Sequence, residues 1–279
     1  MLSANCDAAL AALVARGMAA DVAPFGAGLQ FSVTGGDRSA LADVLDKAFA
    51  PSDMLIADHE PGVPQLFVSD MDSTMISAEC IDELADFAGI KPQIAAITER
   101  AMQGELDFES ALRERVVLLR GLSETAIAQC LETRIAAMPG ARVLVETLKA
   151  RGCRTVLVTG GFHQFADPVA EMLGFEMVVA NRLEVAGGAL TGGLVGGITD
   201  SGVKKAVLLD EASRIGAGAI TLATGDGAND IPMLEAATYG LAYAAKPKAR
   251  AAADGWVDRG DLTGVLDLLG VPREEWVWE

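Results

Sequence analysis

Four short segments of this chain carry carboxylates, hydroxyls, glycines and a lysine at spacings that can do chemistry. The first is Asp70-Met71-Asp72-Ser73-Thr74, directly after the apolar run Leu66-Phe67-Val68. Two carboxylates two residues apart, just past a strand, can be held on one side of a turn. One can then attack phosphorus while the other manages a proton. Side by side they repel each other and an incoming phosphate unless a cation is present. Mg²⁺ answers that need, because it prefers oxygen ligands and retains substrate oxygens in its shell. A D-x-D pair by itself is more often a turn or a surface pair; the apolar strand before this one makes it more specific.

Thr159-Gly160-Gly161 offers a hydroxyl and free backbone N–H groups at a strand end, an anion nest that glycines let phosphate approach closely. Alone it reads as a turn. Lys204, in DSGVKKAVLL, is a point charge able to offset phosphate charge in a transition state. Alone it reads as a solvated helix residue, and its neighbour Lys205 shows how weak a lone lysine is. In Gly225-Asp226-Gly227-Ala228-Asn229-Asp230, Asp226 can complete the oxygen shell of a metal. Asn229 and Asp230 read equally well as caps of the next helix.

The elements that must position these residues are legible around them. LFVSD, RTVLVTGG and AITLATGDGAND are apolar runs that each end in one of the polar motifs, as buried parallel strands do. Helical patterns lie between them, ARVLVETLKARG before the second and VKKAVLLDEASRIG before the third. Strands alternating with helices predict an α/β, Rossmann-like, doubly wound parallel sheet. Such sheets bind ligands beyond the carboxyl ends of their strands, where all of these motifs fall. Residues 77–138 carry strong helical patterns, FESALRERVVLLRGL among them, and are too long for a normal crossover. They predict a helical cap over the site. MVVANRLEVAGGALTGGLVGG predicts strands with a turn at Gly187-Gly188. Residues 1–60 read as a small separate α+β unit: a helix over ANCDAALAALVARGMAA, a strand at LQFSV and a helix over RSALADVLDKAFA. A loop rich in proline and aspartate, APSDMLIADHEPGVPQ, bounds it.

Composition limits what the chain can be. At 279 residues, 51% of them hydrophobic, it can bury a sizeable core. Its net charge of −17 argues against nucleic-acid binding, which needs a basic face. No apolar run reaches the length of a membrane span. Cys6, Cys80, Cys130 and Cys153 are scattered without a C-x-x-C pair, the usage of a reducing compartment. With an N-terminus that does not read as a secretory signal, the expected location is the cytoplasm. His59 and His163 stand in no motif that would make either a nucleophile.

Taken together and in this order, the four motifs resemble the haloacid dehalogenase superfamily of phosphatases over about residues 64–270. The likeness becomes closer in the insertion. DMDSTMISAECIDELADFAGI, GELDFESALRERVVLLRGL, VTGGFHQF, ANRLEV and TGDGANDIPML are similar to phosphoserine phosphatases stretch by stretch. The resemblance implies a phosphatase domain at 64–279 that hydrolyses O-phospho-L-serine with Mg²⁺ in serine biosynthesis. It implies Asp70 as the nucleophile that becomes an aspartyl-phosphate, and Asp72 as the acid and base. It implies Mg²⁺ on Asp70, the Asp72 backbone carbonyl and Asp226, with Asp230 supporting the metal. Thr159, Gly160, Lys204 and Asn229 would bind phosphate. Thr159 stands where many relatives carry serine, and the hydroxyl survives. Glu79 and Arg115 would read the ammonium and carboxylate of the substrate, with Met102 and Phe108 closing over it. Read from its residues alone, Glu79 can bind an ammonium and Arg115 can grip a carboxylate with two parallel bonds. A helix surface ion pair is the simpler reading of the two.

Two other readings remain open at this level. One is a relative acting on another small phosphate, or passing phosphate to another hydroxyl acceptor. The other is a phospho-aspartate signalling domain; Asp72 and the long insertion argue against it, because a switch needs no substrate-enclosing cap. The N-terminal unit resembles a reduced amino-acid-binding regulatory domain, and packing or homodimer formation are equal alternatives for it.

Overall fold

The computed structural model describes residues 2–103 and 105–278. In chain order the first elements are α1 (Leu2–Ala15), β1 (Ala19–Phe25), β2 (Gly28–Thr34), α2 (Arg38–Phe49) and β3 (Asp53–Leu55). The predicted first helix stops at Ala15 instead of running on to Ala20. Gly17 takes a left-handed φ of 76° and Met18 N–H bonds back to Leu13 O, which closes the helix and releases Ala19 onward as a strand. β1 and β2 form an antiparallel hairpin. The predicted boundary loop holds a strand: β3 pairs antiparallel with a strand near the C-terminus and joins the large sheet.

That sheet is built from β4 (Leu66–Ser69), then, after the insertion, β5 (Arg154–Phe162) and β6 (Met177–Asn181). The insertion comprises α3 (Cys80–Phe87), α4 (Lys91–Met102), α5 (Phe108–Leu118) and α6 (Glu124–Arg134), and α7 (Ala141–Ala150) leads from it into β5. After α8 (His163–Leu173) and β6 comes the hairpin β7 (Leu183–Ala186) and β8 (Ala189–Leu194). The chain continues with α9 (Ser201–Ile215), β9 (Thr221–Gly225), α10 (Ile231–Leu234), β10 (Tyr239–Tyr243), α11 (Pro247–Ala252), β11 (Gly255–Val257), α12 (Gly264–Leu268) and a short 3-10 turn (Arg273–Glu275). The seven strands run β3-β11-β10-β9-β4-β5-β6, all parallel except β3.

β4 lies between β5 and β9, the first crossover going one way and the later strand the other. This is a topological switch point, where the strand ends part and leave a crevice. Register sets the depth of that crevice: Ser69 stands level with Leu157 on one side and Thr224 on the other. The residues just beyond, Asp70, Thr159 and Asp226, therefore gather at one level. Leu66, Phe67 and Val68 are fully buried, as a central strand covered on both faces requires.

Candidate active site

Asp70 is held by its neighbours before any ligand is considered. Its N–H donates to Thr224 O at 3.0 Å, and its Oδ1 accepts from Met71 N–H at 2.8 Å. Lys204, the fourth residue of α9, reaches the same Oδ1 with its ammonium at 2.7 Å and also donates to Asp230 Oδ1 at 2.7 Å. Both Lys204 and Asp230 are sealed from solvent. Lys204 is thus no solvated helix lysine. Asp230 stands at the N-cap of α10, but its side chain does not cap the helix: its Oδ2 accepts from Gly227 N–H at 3.0 Å, and it makes no side-chain bond to the first turn of α10.

One oxygen each from Asp70, Asp226 and Asp230 lie within 4.8 Å of one another. Burial pushes the Asp70 carboxyl well above the usual carboxylate range; Lys204 works against that shift, and Asp230 and Asp72 add to it. Burial would make Lys204 lose its proton, but Asp70 and Asp230 hold it as the ammonium. The cluster has more carboxylates than Lys204 can neutralise, and its donors are all oxygen. Such a set suits a hard divalent cation.

Asp72 lies in the turn that begins at Met71 and lines the same pocket as Asp70. Ser73 there takes a left-handed φ of 56°, and its hydroxyl donates to Glu79 Oε1 at 2.9 Å. Asp72 Oδ1 is buried and finds no hydrogen-bond partner among the described residues. Burial, and secondarily the Glu79 charge, push the Asp72 carboxyl up to about 7. A carboxylic acid that keeps its proton near neutral pH is a candidate general acid.

Thr159 is buried and its Oγ1 accepts from Gly161 N–H at 2.9 Å. Asn181 Nδ2 donates to Gly160 O at 2.7 Å, and Asn181 Oδ1 accepts from Thr199 N–H at 2.8 Å, tying the end of β5 to the loop before α9. A side chain at Gly160 or Gly161 would be tight. A Cβ on Gly160 would stand 3.1 Å from Phe108 Cζ, and one on Gly161 3.2 Å from Met71 Cε.

These residues enclose a pocket of about 160 Å³ lined by Asp70, Asp72, Glu79, Phe108, Arg115, Thr159, Gly160, Asp226 and Asn229, with Gly161, Ile81, Leu112, Phe162 and Lys246. Lys204 and Asp230 stand beneath it. The side chain of Met102 lies outside the described residues. A larger open cleft of about 580 Å³ separates α2 from α11, but Arg250 there is already paired with Asp46 and Asp258. Chemistry therefore singles out the smaller pocket.

Glu79 and Arg115 face that pocket from the insertion. Arg115 is half-buried, and its Nε donates to Ala111 O at 3.2 Å in its own helix. No carboxylate comes within ion-pair distance of it among the described residues. The surface ion-pair reading therefore does not apply, and a guanidinium stands at the pocket wall. Burial draws its pKa down; Asp82 and Glu79 partly offset this. His163 pairs with Asp167 one turn along α8 at 2.7 Å, and His59 with the Tyr239 hydroxyl at 2.9 Å, both apart from the pocket.

The β7–β8 hairpin also belongs to the lid over the site. Gly121 N–H donates to Leu190 O, Leu190 N–H to Leu122 O and Glu124 N–H to Gly188 O. Sequence reasoning missed this docking and missed Lys246, whose surroundings in AAKPKAR carry no spacing signal. The apolar wall of Ile81, Leu112 and Phe162 was also missed, because it reads as ordinary helix and strand packing.

The sequence model of the haloacid dehalogenase-like hydrolases matches residues 67–235. A phosphoserine phosphatase of Mycobacterium tuberculosis is 42% identical over 279 residues, 94% of this chain and 68% of that protein. The unliganded structure of a probable phosphoserine phosphatase from Vibrio cholerae superposes with a TM-score of 0.76 at 35% identity, covering 98% of this chain and 84% of that one. A phosphoserine phosphatase solved as an analogue of its phospho-aspartyl intermediate has a TM-score of 0.66 at 37% identity, covering 73% of this chain and 97% of the other.

Proposed function

The chain belongs to the haloacid dehalogenase-like hydrolase family, and from that premise we propose how its residues act as a phosphoserine phosphatase. It hydrolyses O-phospho-L-serine to serine and phosphate through an aspartyl-phosphate. The observation that carries the residue roles is the convergence of Asp70, Asp72, Thr159, Lys204 and Asp226 at one switch point.

Asp70 attacks phosphorus with a carboxylate oxygen, and the bond from phosphorus to the serine oxygen breaks. Asp72, protonated by virtue of its burial, gives its proton to that departing oxygen. Now ionised, it takes a proton from the water that attacks the aspartyl-phosphate, which releases phosphate and restores both groups. Lys204 holds Asp70 in line and meets the charge on the phosphoryl oxygens. The Thr159 hydroxyl, the Gly160 backbone and Asn229 bind those oxygens. Arg115 receives the substrate carboxylate in a planar, two-bonded grip, and Glu79 receives the ammonium. Phe108 closes the pocket from the start of α5.

The acidic cluster fits a magnesium ion, held by Asp70, Asp226 and the Asp72 carbonyl with Asp230 in support. When bound, such an ion neutralises charge on the phosphoryl oxygens. Residues 64–279 form the phosphatase domain, with its cap at 77–138, and residues 1–60 take no part in the chemistry. The protein works in the cytoplasm on a small molecule, without nucleic acid or membrane; among the described residues no helix is long and apolar enough to span one. Hydrolysis is favoured over a phospho-aspartate switch by the polar pocket beneath a cap.

The test is phosphate release from phosphoserine, phosphothreonine and sugar phosphates, with Mg²⁺, with Ca²⁺ and with a chelator. Phosphoserine should be turned over fastest, Ca²⁺ should support less activity, and the chelator should abolish it. Undiminished release in the chelator would remove the metal from the reading, and a preference for sugar phosphates would remove the substrate.

A further inference from the structure

We propose that Lys246 is a second phosphate-gripping residue, parked on Asp226 until a divalent cation takes that carboxylate. The proposal rests on the magnesium reading of the acidic cluster given above.

Two bonds place Lys246 on Asp226. Its N–H donates to Asp226 O at 2.8 Å, and its ammonium stands 3.1 Å from Asp226 Oδ2. The backbone bond, together with Pro247 at the start of α11 and the left-handed φ of 42° at Ala244, fixes where the side chain begins. The ammonium does not fix it. Lys204 has a fully buried side chain, whereas that of Lys246 is 66% exposed. Lys204 is committed to two buried carboxylates and cannot leave them without stranding them. Lys246 can swing about its backbone anchor at little cost.

Charge decides where it swings. The pocket presents the carboxylates of Asp70, Glu79 and Asp226; its Arg115 is given to the substrate carboxylate, and the Lys204 ammonium is divided between Asp70 and Asp230. A phosphate dianion entering this wall meets more negative than positive groups. A divalent cation held by Asp226 draws on the same carboxylate charge that holds Lys246, so the two compete for it. Once displaced, the ammonium stays tethered at the mouth of the pocket, within the lining that receives the phosphate. Electrostatic attraction to a dianion then exceeds its attraction to an aspartate already neutralised by the cation.

Removing the charge therefore has opposite effects on the two ligands, which a residue serving only the fold does not produce. Lys246→Met should bind Mg²⁺ more tightly in calorimetry on the metal-free protein. The gain should be about two- to fivefold, the range for losing an exposed ion-pair competitor. The same variant should be inhibited less well by inorganic phosphate, with Ki and the KM for phosphoserine both rising on the order of tenfold, the lower end for a charge-assisted bond. The loss should fall mainly in KM, and Lys246→Arg should restore phosphate affinity. Circular dichroism and melting of each variant check the fold. An unchanged phosphate Ki in Lys246→Met, or weaker Mg²⁺ binding by it, would overturn the proposal. So would failure of Lys246→Arg to restore phosphate affinity. Wild-type protein that binds no Mg²⁺ would instead sink the magnesium reading on which the proposal stands.

Discussion

Asp70 and Asp72 are the same residue type two positions apart, and their surroundings give them different work. Asp70 has an ammonium and a backbone N–H on one oxygen, whereas Asp72 Oδ1 is buried without a partner among the described residues. The proton that Asp72 keeps has a stability signature. Its carboxyl rests near 7 in the folded chain and near 4 when unfolded. The folded state therefore binds more protons between those values, so this contribution is fully present below about pH 4 and is lost as pH rises through about 7. In metal-free protein, the stability difference between wild type and Asp72→Asn should fall over that window and then flatten, as read by denaturant titrations at a series of pH values. A difference that does not vary with pH would place Asp72 in a more solvated state. Arg115 poses a different question, because it is half-buried without an anionic partner among the described residues. Such a guanidinium adds little to stability, so Arg115→Ala should melt within a few degrees of wild type. It should still lose about 1.5–3 kcal/mol in kcat/KM for phosphoserine, the scale of a charge-assisted bond, and far less for phosphoethanolamine, which lacks the carboxylate. Equal losses on the two substrates would show that Arg115 supports the phosphate site or the fold.

At the scale of elements, the end of β5 and the start of α5 meet over the pocket. Gly160 leaves its peptide open to a ligand on one side and touches Phe108 on the other. A methyl group at Gly160 would stand 3.1 Å from Phe108 Cζ, close enough to push the cap outward. Gly160→Ala should therefore raise KM for phosphoserine, and Phe108→Ala should relieve part of that rise. The double variant should show a coupling of about 0.5–1.5 kcal/mol, within the range for residues in contact. Strict additivity would mean that the methyl acts on the phosphate directly and not through the cap. The cap can respond as a unit because it is stitched to the β7–β8 hairpin by backbone bonds from Gly121, Leu190 and Glu124.

The whole molecule is tied together where the N-terminal unit meets the sheet. Ala9 and Leu45 pack with Met54, Ala242 and Trp256, and Arg38 and Arg250 reach across to Asp254 and Asp46. β3 lies between the two units in sequence but belongs to the sheet. Truncation should therefore have two distinct outcomes. Removing residues 1–50 uncovers part of this apolar cluster, so the protein should melt several degrees lower and still turn over phosphoserine. Removing residues 1–58 also strips β3 from β11, exposes unpaired backbone groups at a sheet edge, and should favour aggregation. Light scattering and melting curves compare the two; identical behaviour would show that β3 contributes nothing to the edge.

How much of this was legible beforehand follows from range. Apolar runs such as Leu66–Val68, each closed by a polar motif, are local patterns. They determined the parallel sheet, and with it the level at which Asp70, Thr159 and Asp226 meet. The α5 pattern and the Gly187-Gly188 turn were likewise local, and both elements formed as their residues predict. Other features needed the assembled chain. Whether Lys204 or Lys205 entered the site depended on which face of α9 turned inward, and Asp230 became a partner of that lysine only through a contact across 26 residues. Lys246 joined the pocket because β10 lies beside β9, a neighbour relation that no spacing in AAKPKAR encodes. β3 formed a strand because β11 offered it a free edge about 200 residues away. Short-range propensity specifies an element when burial rewards its period; which side chains then share a cavity depends on how the elements pack.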